Sequence, residues 1–304
     1  MNIVSIGEIL WDLFPDGERL GGAPLNFSAH ATRLGERVTF VSAVGDDARG
    51  LEARRRAAEL GLDAGSIQVV PEAPTGIVSV KVDAEGHPAF VIHRPAAYDR
   101  LRLDEAAIER LAALDPAWVY YGTLHQADPG SHAETSRLLA ALPRAQRFYD
   151  VNLRRDCWTP ELLDVLLRQS HAVKLNDDEA EVIDGLFGSR HNSLEEFTAR
   201  WSERMGWRAV AVTRGSRGCA VRIGREYAEA PGFAVEVVDT VGSGDAFAAA
   251  FLHSLGQGWD PLRAGSFANR LGAVVASHAG AVPTWSREEC ESLSGTPWTR
   301  LISQ

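Results

Sequence analysis

No stretch of about 18 consecutive apolar residues occurs anywhere in the 304 positions, so the sequence predicts no membrane-spanning helix. Its first residues, Met1-Asn2-Ile3-Val4-Ser5-Ile6-Gly7-Glu8, lack the basic start and long apolar core of a secretion signal. Cysteine is scarce: Cys157, Cys219 and Cys290 are far apart, odd in number and form no C-x-x-C pair. That disfavours a disulfide framework or a zinc site and suits a reducing, cytoplasmic setting. The nine histidines show no ligand spacing. Positive charge is short too, with 31 Lys and Arg against 41 Asp and Glu, a net charge of −10. Such a balance opposes phosphate backbones and anionic membranes, so neither nucleic acid nor a membrane is expected as a partner. A small anionic ligand stays compatible, because a local nest of backbone N–H groups holds phosphate even on an acidic protein. There is no internal repeat, low-complexity tract or linker rich in Pro, Gly and Ser.

What is present is an ordinary globular composition, 45% hydrophobic and 24% charged, with enough apolar material for a sizeable core. Short β-branched runs at 3–6, 38–44, 118–121, 147–151, 172–174, 209–213 and 235–238 read as strands. Between several of them lie helix-period segments at 23–34, 51–60, 104–114, 160–168 and 194–205. This alternation predicts an α/β fold with a largely parallel sheet covered on both faces. Ligands of such sheets bind beyond the carboxyl ends of the strands. One stretch differs. Residues 75–82 alternate with period two, Asp83-Ala84-Glu85-Gly86 gives a turn, and 89–93 return the chain as an antiparallel hairpin. A lid over the sheet edge and a plain hairpin extension fit that pattern equally. The simplest organisation is a single domain over 1–304, with a lid from about 13–22 and 73–98.

The most informative segment is Val237-Val238-Asp239-Thr240-Val241-Gly242-Ser243-Gly244-Asp245-Ala246-Phe247. A strand-like run ends at Val238, a glycine-containing turn follows, and a helix begins. Phe247, Phe251 and Leu255 recur four apart and predict a buried face. Gly242 and Gly244 let the backbone bend sharply and bring its N–H groups close to a ligand. With Ser243 they form an anion hole at the positive end of the helix dipole. Asp245 lies in the first turn beside that hole. A carboxylate there can take the proton of a hydroxyl attacking a γ-phosphate, or simply complement the dipole. The string is neither a Walker A loop nor a full G-x-G-x-x-G fingerprint.

Asp-Thr-x-Gly-x-Gly-Asp at the start of a late helix resembles the second signature of the ribokinase-like (PfkB) carbohydrate kinase family. Gly21-Gly22-Ala23-Pro24-Leu25-Asn26 resembles the first. Asn176-Asp177-Asp178-Glu179 is similar to the family's Asn-x-x-Glu motif, Thr213-Arg214-Gly215-Ser216-Arg217-Gly218 to its nucleotide loop, and Gly280-Ala281-Val282-Pro283-Thr284 to its C-terminal turn. The matches run in family order from residue 5 to about 285. The resemblance implies a three-layer α/β/α sandwich with a mostly parallel central sheet and a small β lid. It also implies transfer of the ATP γ-phosphate to a sugar, with Asp245 as base.

By the same resemblance, Asp12, Gly22 and Asn26 line the sugar pocket, and a carboxylate such as Asp12 suits a polyol because it accepts several hydroxyl donors. The eight tryptophans mostly fit core or loop packing, with facing the sugar as the alternative for Trp11 beside Asp12. Asp150-x-Asn152-x-Arg154 resembles the fructokinase-type branch. There Asn152 would bind sugar or phosphate, and Arg154 would stabilise transferring charge. Arg94, at the end of the hairpin, would reach the sugar from the lid; a solvated edge position is the alternative. Asn176 and Glu179 would organise Mg²⁺ and phosphates through water, although an acidic helix start explains Glu179 as well. Thr213, Gly215, Gly218 and Asn269 would contact ATP. Asp239, the Val241 backbone, Gly280 and Thr284 match positions that hold K⁺ in potassium-activated relatives. The segments 7–12 and 152–154 lean towards fructose as substrate. Ribose, 2-keto-3-deoxygluconate and nucleosides are the alternatives, as is a non-catalytic sugar sensor. A dinucleotide-dependent oxidoreductase would need a glycine fingerprint after the first strand, where Trp11-Asp12 stands instead. A homodimer paired through lid strands is the expected assembly.

Overall fold

The computed structural model describes residues 1–82 and 88–293. Among these, thirteen strands fall into two sheets. They are β1 (Asn2–Ile6), β2 (Leu10–Phe14), β3 (Gly17–Gly21), β4 (Arg37–Gly45), β5 (Ile67–Val70), β6 (Gly76–Val82), β7 (Pro88–His93), β8 (Trp118–Gly122), β9 (Gln146–Asp150), β10 (Ala172–Asn176), β11 (Ala209–Thr213), β12 (Cys219–Ile223) and β13 (Glu226–Ala230). The large sheet has the order β13-β12-β11-β10-β9-β8-β1-β4-β5. Its strands from β11 to β5 are parallel, and β12 and β13 add an antiparallel edge.

Period two along the buried strands splits the core into two layers. Val119 and Tyr121 pack with Leu163, Ile183 and Trp201 on one face. Trp118 and Tyr120 pack with Phe27, Phe251 and Leu271 on the other. Helices therefore cover both sides, which gives the expected three layers. Local signals place the helices well: Pro160–Arg168 and Leu194–Met205 lie where their periodicity puts them, each started by a side-chain cap, Thr159 and Ser193. The helix Ser243–Gly256 exceeds its expectation of one buried face. Every residue from Asp245 to Ser254 is buried, because helices Ala23–Arg33 and Pro261–Ala276 flank it.

The second sheet has the order β3-β2-β6-β7. The hairpin is present as antiparallel β6 and β7, while its turn at 83–86 lies outside the described residues. β2 and β3 were not read as strands, although 13–22 was assigned to the lid; they extend this sheet back to Leu10, so Asp12, which follows β1, itself lies within a strand. One expectation is overturned: 235–238 is not a strand. β13 is already the sheet edge, and this run leaves it as an irregular segment. Val237 and Val238 are 60% and 59% exposed, and Val238 and Asp239 donate their N–H groups to the Ala276 carbonyl.

Candidate active site

The turn before Ser243–Gly256 is shaped by backbone contacts. Gly242 has φ 80, the left-handed region, and a Cβ there would collide with the Ala281 backbone. Ser243 folds back on the turn, its hydroxyl donating to the Thr240 carbonyl at 2.8 Å. The first bond into the helix is Ala246 N–H to Gly242 O, so the N–H groups of Gly244 and Asp245 have no acceptor within the helix. They lie at the turn where the glycine pattern put an anion hole.

Asp245 stands directly beside them, 9% exposed, and accepts a 2.8 Å bond from the Asn26 amide. Burial, reinforced by the Asp150 carboxylate, pushes its carboxyl up to about 6, against the Asn26 bond and the charges of Lys174 and Arg154. Asp150 is buried and bound by Lys174 Nζ at 3.0 and 3.3 Å and by the Tyr120 hydroxyl at 3.1 Å. Burial works to lower the Lys174 ammonium, but Asp150, Glu179 and Asp245 outweigh it and the net shift is upward. A Cβ on Gly244 would sit 3.3 Å from that ammonium, so a positive charge lies under the glycine turn.

Two cavities meet at this turn, sharing Thr213, Thr240 and Gly244. The first, about 470 Å³, is lined by Asp12, Gly22, Asn26, Asn152, Arg154 and Asp245, with Glu8, Lys174, Asn176 and Glu179. It gathers residues from the carboxyl ends of β1, β9, β10 and β11 and from β2 in the second sheet. Burial pushes the Asp12 carboxyl up to about 6, with Arg154 and Arg19 opposing. Asn152 adopts φ 37, a left-handed conformation that Asn enters more readily than most residues. Arg154 forms no direct ion pair among the described residues, and its charge reaches Glu8, Asp12 and Asp245. Glu179 and Asn176 form a reciprocal cap at the start of Asp177–Leu186, and the second Glu179 oxygen accepts the Leu153 N–H at 2.8 Å. The acid thus ties the loop carrying Asn152 and Arg154 to β10. Burial raises its carboxyl above the usual range, with Lys174 opposing.

The second cavity, about 360 Å³, is lined by Thr213, Gly215, Gly218 and Asn269 and walled by Phe233, Val235, Val237 and Ala273. The apolar run misread as a strand is therefore one of its walls. Asn269 gives its amide protons to the Ala230 and Pro231 carbonyls, at 3.1 and 3.0 Å, which leaves only its carbonyl oxygen for a ligand. Asp239 clasps two turns, accepting from Val241 N–H at 3.0 Å and Gly280 N–H at 3.1 Å, and Thr284 is exposed beyond them.

Two expectations for the first cavity are corrected. Arg94 does not line it: its guanidinium is bound by the buried Asp99 at 2.6 and 3.2 Å and by the Leu124 carbonyl at 3.0 Å. Trp11 points the other way from Asp12, as neighbours on a strand must, and donates to the Arg49 carbonyl within the core.

The family model for pfkB carbohydrate kinases matches residues 14–287, nearly the whole chain and both glycine turns. This chain belongs to that family. A fructokinase of Klebsiella pneumoniae is 30% identical over 295 residues, covering 93% of this kinase and 92% of that one. In fold, the kinase is similar to a Xylella fastidiosa fructokinase solved with bound ATP, with a TM-score of 0.83, 23% identity and coverage of 100% and 99%. It is also similar to a Vibrio cholerae O395 fructokinase holding fructose, ADP and a calcium ion, with a TM-score of 0.80, 24% identity and coverage of 96% and 99%.

Three residues of the kinase's site escaped the sequence reading: Glu8, Asp150 and Lys174 were not singled out for a role. Lys174 carried a usable signal, as a charge inside the otherwise apolar run Ala172-Val173-Lys174-Leu175. Glu8 carried only its place in the 7–12 segment, because its significance lies in its burial.

Proposed function

We propose that this carbohydrate kinase transfers the γ-phosphoryl group of ATP to a hydroxymethyl group of a ketose, fructose first. The observation that carries the reading is the place of Asp245. It lies where the two cavities join, one hydrogen bond from Asn26 and beside the free N–H groups of the glycine turn. The polar first cavity, with Asp12, Gly22, Asn26 and Asn152, would take the sugar. The apolar second cavity would take the nucleotide base, with Thr213, Gly215 and Gly218 along its phosphate side. The terminal phosphate would then reach the shared rim at Gly244.

Chemically, the Asp245 carboxylate accepts the proton of the attacking hydroxyl as the bond to phosphorus forms. Asn26 holds the carboxylate in place. The N–H groups of Gly244 and Asp245, with Gly242 and Ser243 shaping their turn, stabilise charge gathering on the transferring group. Lys174 beneath the turn and Arg154 at the cavity edge add positive charge at the same point. The donor set fits a magnesium ion that keeps its water. Each Glu179 oxygen already accepts one N–H, leaving room for water, and no cluster of three or more His, Cys, Asp or Glu able to grip a metal occurs among the described residues. Asn176 and Glu179 would hold it, and when bound it neutralises phosphate charge. Asp239, Val241, Gly280 and Thr284 would supply the oxygen donors for K⁺.

We further read the protein as cytoplasmic, which its three buried cysteines, in no disulfide among the described residues, support, and as a homodimer paired through the open edges of the second sheet. ADP production with ketoses, aldoses, 2-keto-3-deoxygluconate and nucleosides tests the substrate. Fructose should give the highest kcat/KM; a clear preference for another acceptor overturns the fructose assignment.

A further inference from the structure

Glu8 lies between β1 and β2, 4% exposed, and its Oε2 has no hydrogen-bond partner. A buried carboxyl oxygen without a partner is costly, so a well-packed protein keeps one only for a reason. Glu8 belongs to the lining of the same cavity as Asp12, Asn26 and Asp245, and Asn26 likewise carries a buried partnerless oxygen, its Oδ1. Two unsatisfied acceptors in one cavity are complementary to a ligand carrying several hydroxyl groups. The backbone also fixes where Glu8 stands: a Cβ on Gly22, at φ 117, would come within 2.5 Å of the Glu8 carbonyl.

We propose that Glu8 is a specificity-determining sugar ligand, its free carboxyl oxygen bonding a hydroxyl that is not the one phosphorylated. This rests on the reading that the first cavity holds the sugar. A hydroxyl both donates and accepts, so it meets a carboxylate or a neutral carboxyl equally well. That versatility matters here. Burial pushes the Glu8 carboxyl up to about 7, opposed by its own backbone and by Arg154, so both forms are populated near neutral pH. Selection follows from the burial, because a sugar lacking that hydroxyl leaves the oxygen unpaired once water is excluded.

The test is a binding cycle. Dissociation constants for fructose and a set of monodeoxyfructoses are measured by calorimetry on the parent, Glu8→Ala and Glu8→Asp. The Asp variant keeps the acid but withdraws it by one methylene, and it decides the matter if the Ala variant does not fold. Fructose should bind the variants about tenfold or more weakly. One deoxy sugar should bind parent and variant alike, and the KM for ATP should not move. Fructose binding within about twofold of the parent overturns the proposal, as does a penalty of equal size for every deoxy sugar. Turnover of fructose by the parent is recorded alongside. Normal turnover with variant-independent binding removes Glu8 from the site and leaves the proposed function standing.

Discussion

The proposed role of Asp245 sets two demands against each other: a base must be ionised, and burial resists ionisation. Asp245→Asn keeps the shape and the Asn26 contact, so sugar binding should survive while kcat falls by about 10²–10⁴-fold. Steady-state kinetics check this, and a variant turning over near the parental rate would remove the base assignment. The same substitution should raise stability in alkaline buffer. The folded carboxyl holds its proton to about 6 against an ordinary 3.8, so the native state loses stability as pH rises through about 6. Asn abolishes that loss, and the variant should melt above the parent at pH 8, with the gap closing towards pH 4. For activity, kcat/KM should fall as pH drops through about 6, where the base becomes protonated. Because Glu8 and Asp12 titrate in the same cavity, the measured midpoint belongs to the group of carboxyls. A flat profile between pH 5 and 8 would contradict it. Asp245 was legible because its surroundings are compact in sequence. The Asp150–Lys174 pair spans 24 residues and the Asn26–Asp245 bond 219, and no local pattern records such a meeting.

Among the elements, the cap of helix Asp177–Leu186 links local structure to the site. Glu179 satisfies the Asn176 N–H with one oxygen and the Leu153 N–H with the other. Glu179→Ala should therefore cost about 1 kcal/mol of stability for the cap, and should also loosen the segment bearing Asn152 and Arg154. The expected signature is a fall in kcat larger than the change in Tm explains, read from denaturation curves beside initial rates. Full activity would show that the latch has no catalytic consequence. Helices with apolar periodicity and a cap were readable because both signals are local. β2 and β3 were not, since Leu10–Phe14 carries Asp12 and Gly17–Gly21 carries Glu18 and Arg19, and β2, which pairs with β3, is joined to the sheet by the distant β6. The run 235–238 erred the other way. Its β-branched residues suit a strand, but no sheet edge receives them, and they wall a cavity instead.

Across the whole molecule, the first cavity is built from two bodies: the large sheet's strand ends, and the second sheet through Leu10, Asp12, Phe14, Val78 and Ile92. A sugar bridging the two should hold the second sheet down as a lid. Hydrogen exchange should then slow in residues 10–14 and 76–82 when fructose is added, with the core strands unchanged. Unaltered exchange in those segments at saturating sugar would show that they do not close on it.

The amino-acid sequence by itself determined the strand–helix alternation, the glycine turn and the acid beside it, since these depend on neighbours within a few positions. It also carried the family resemblance, which set the site residues in order along the chain. Only the tertiary structure decided which polar groups are buried together. It drew Arg94 to Asp99 and turned Trp11 into the core. It placed Lys174 under the glycine turn and left one oxygen of the buried Glu8 without a partner. Burial and long-range charge arise from contacts between distant segments, and no local pattern encodes them.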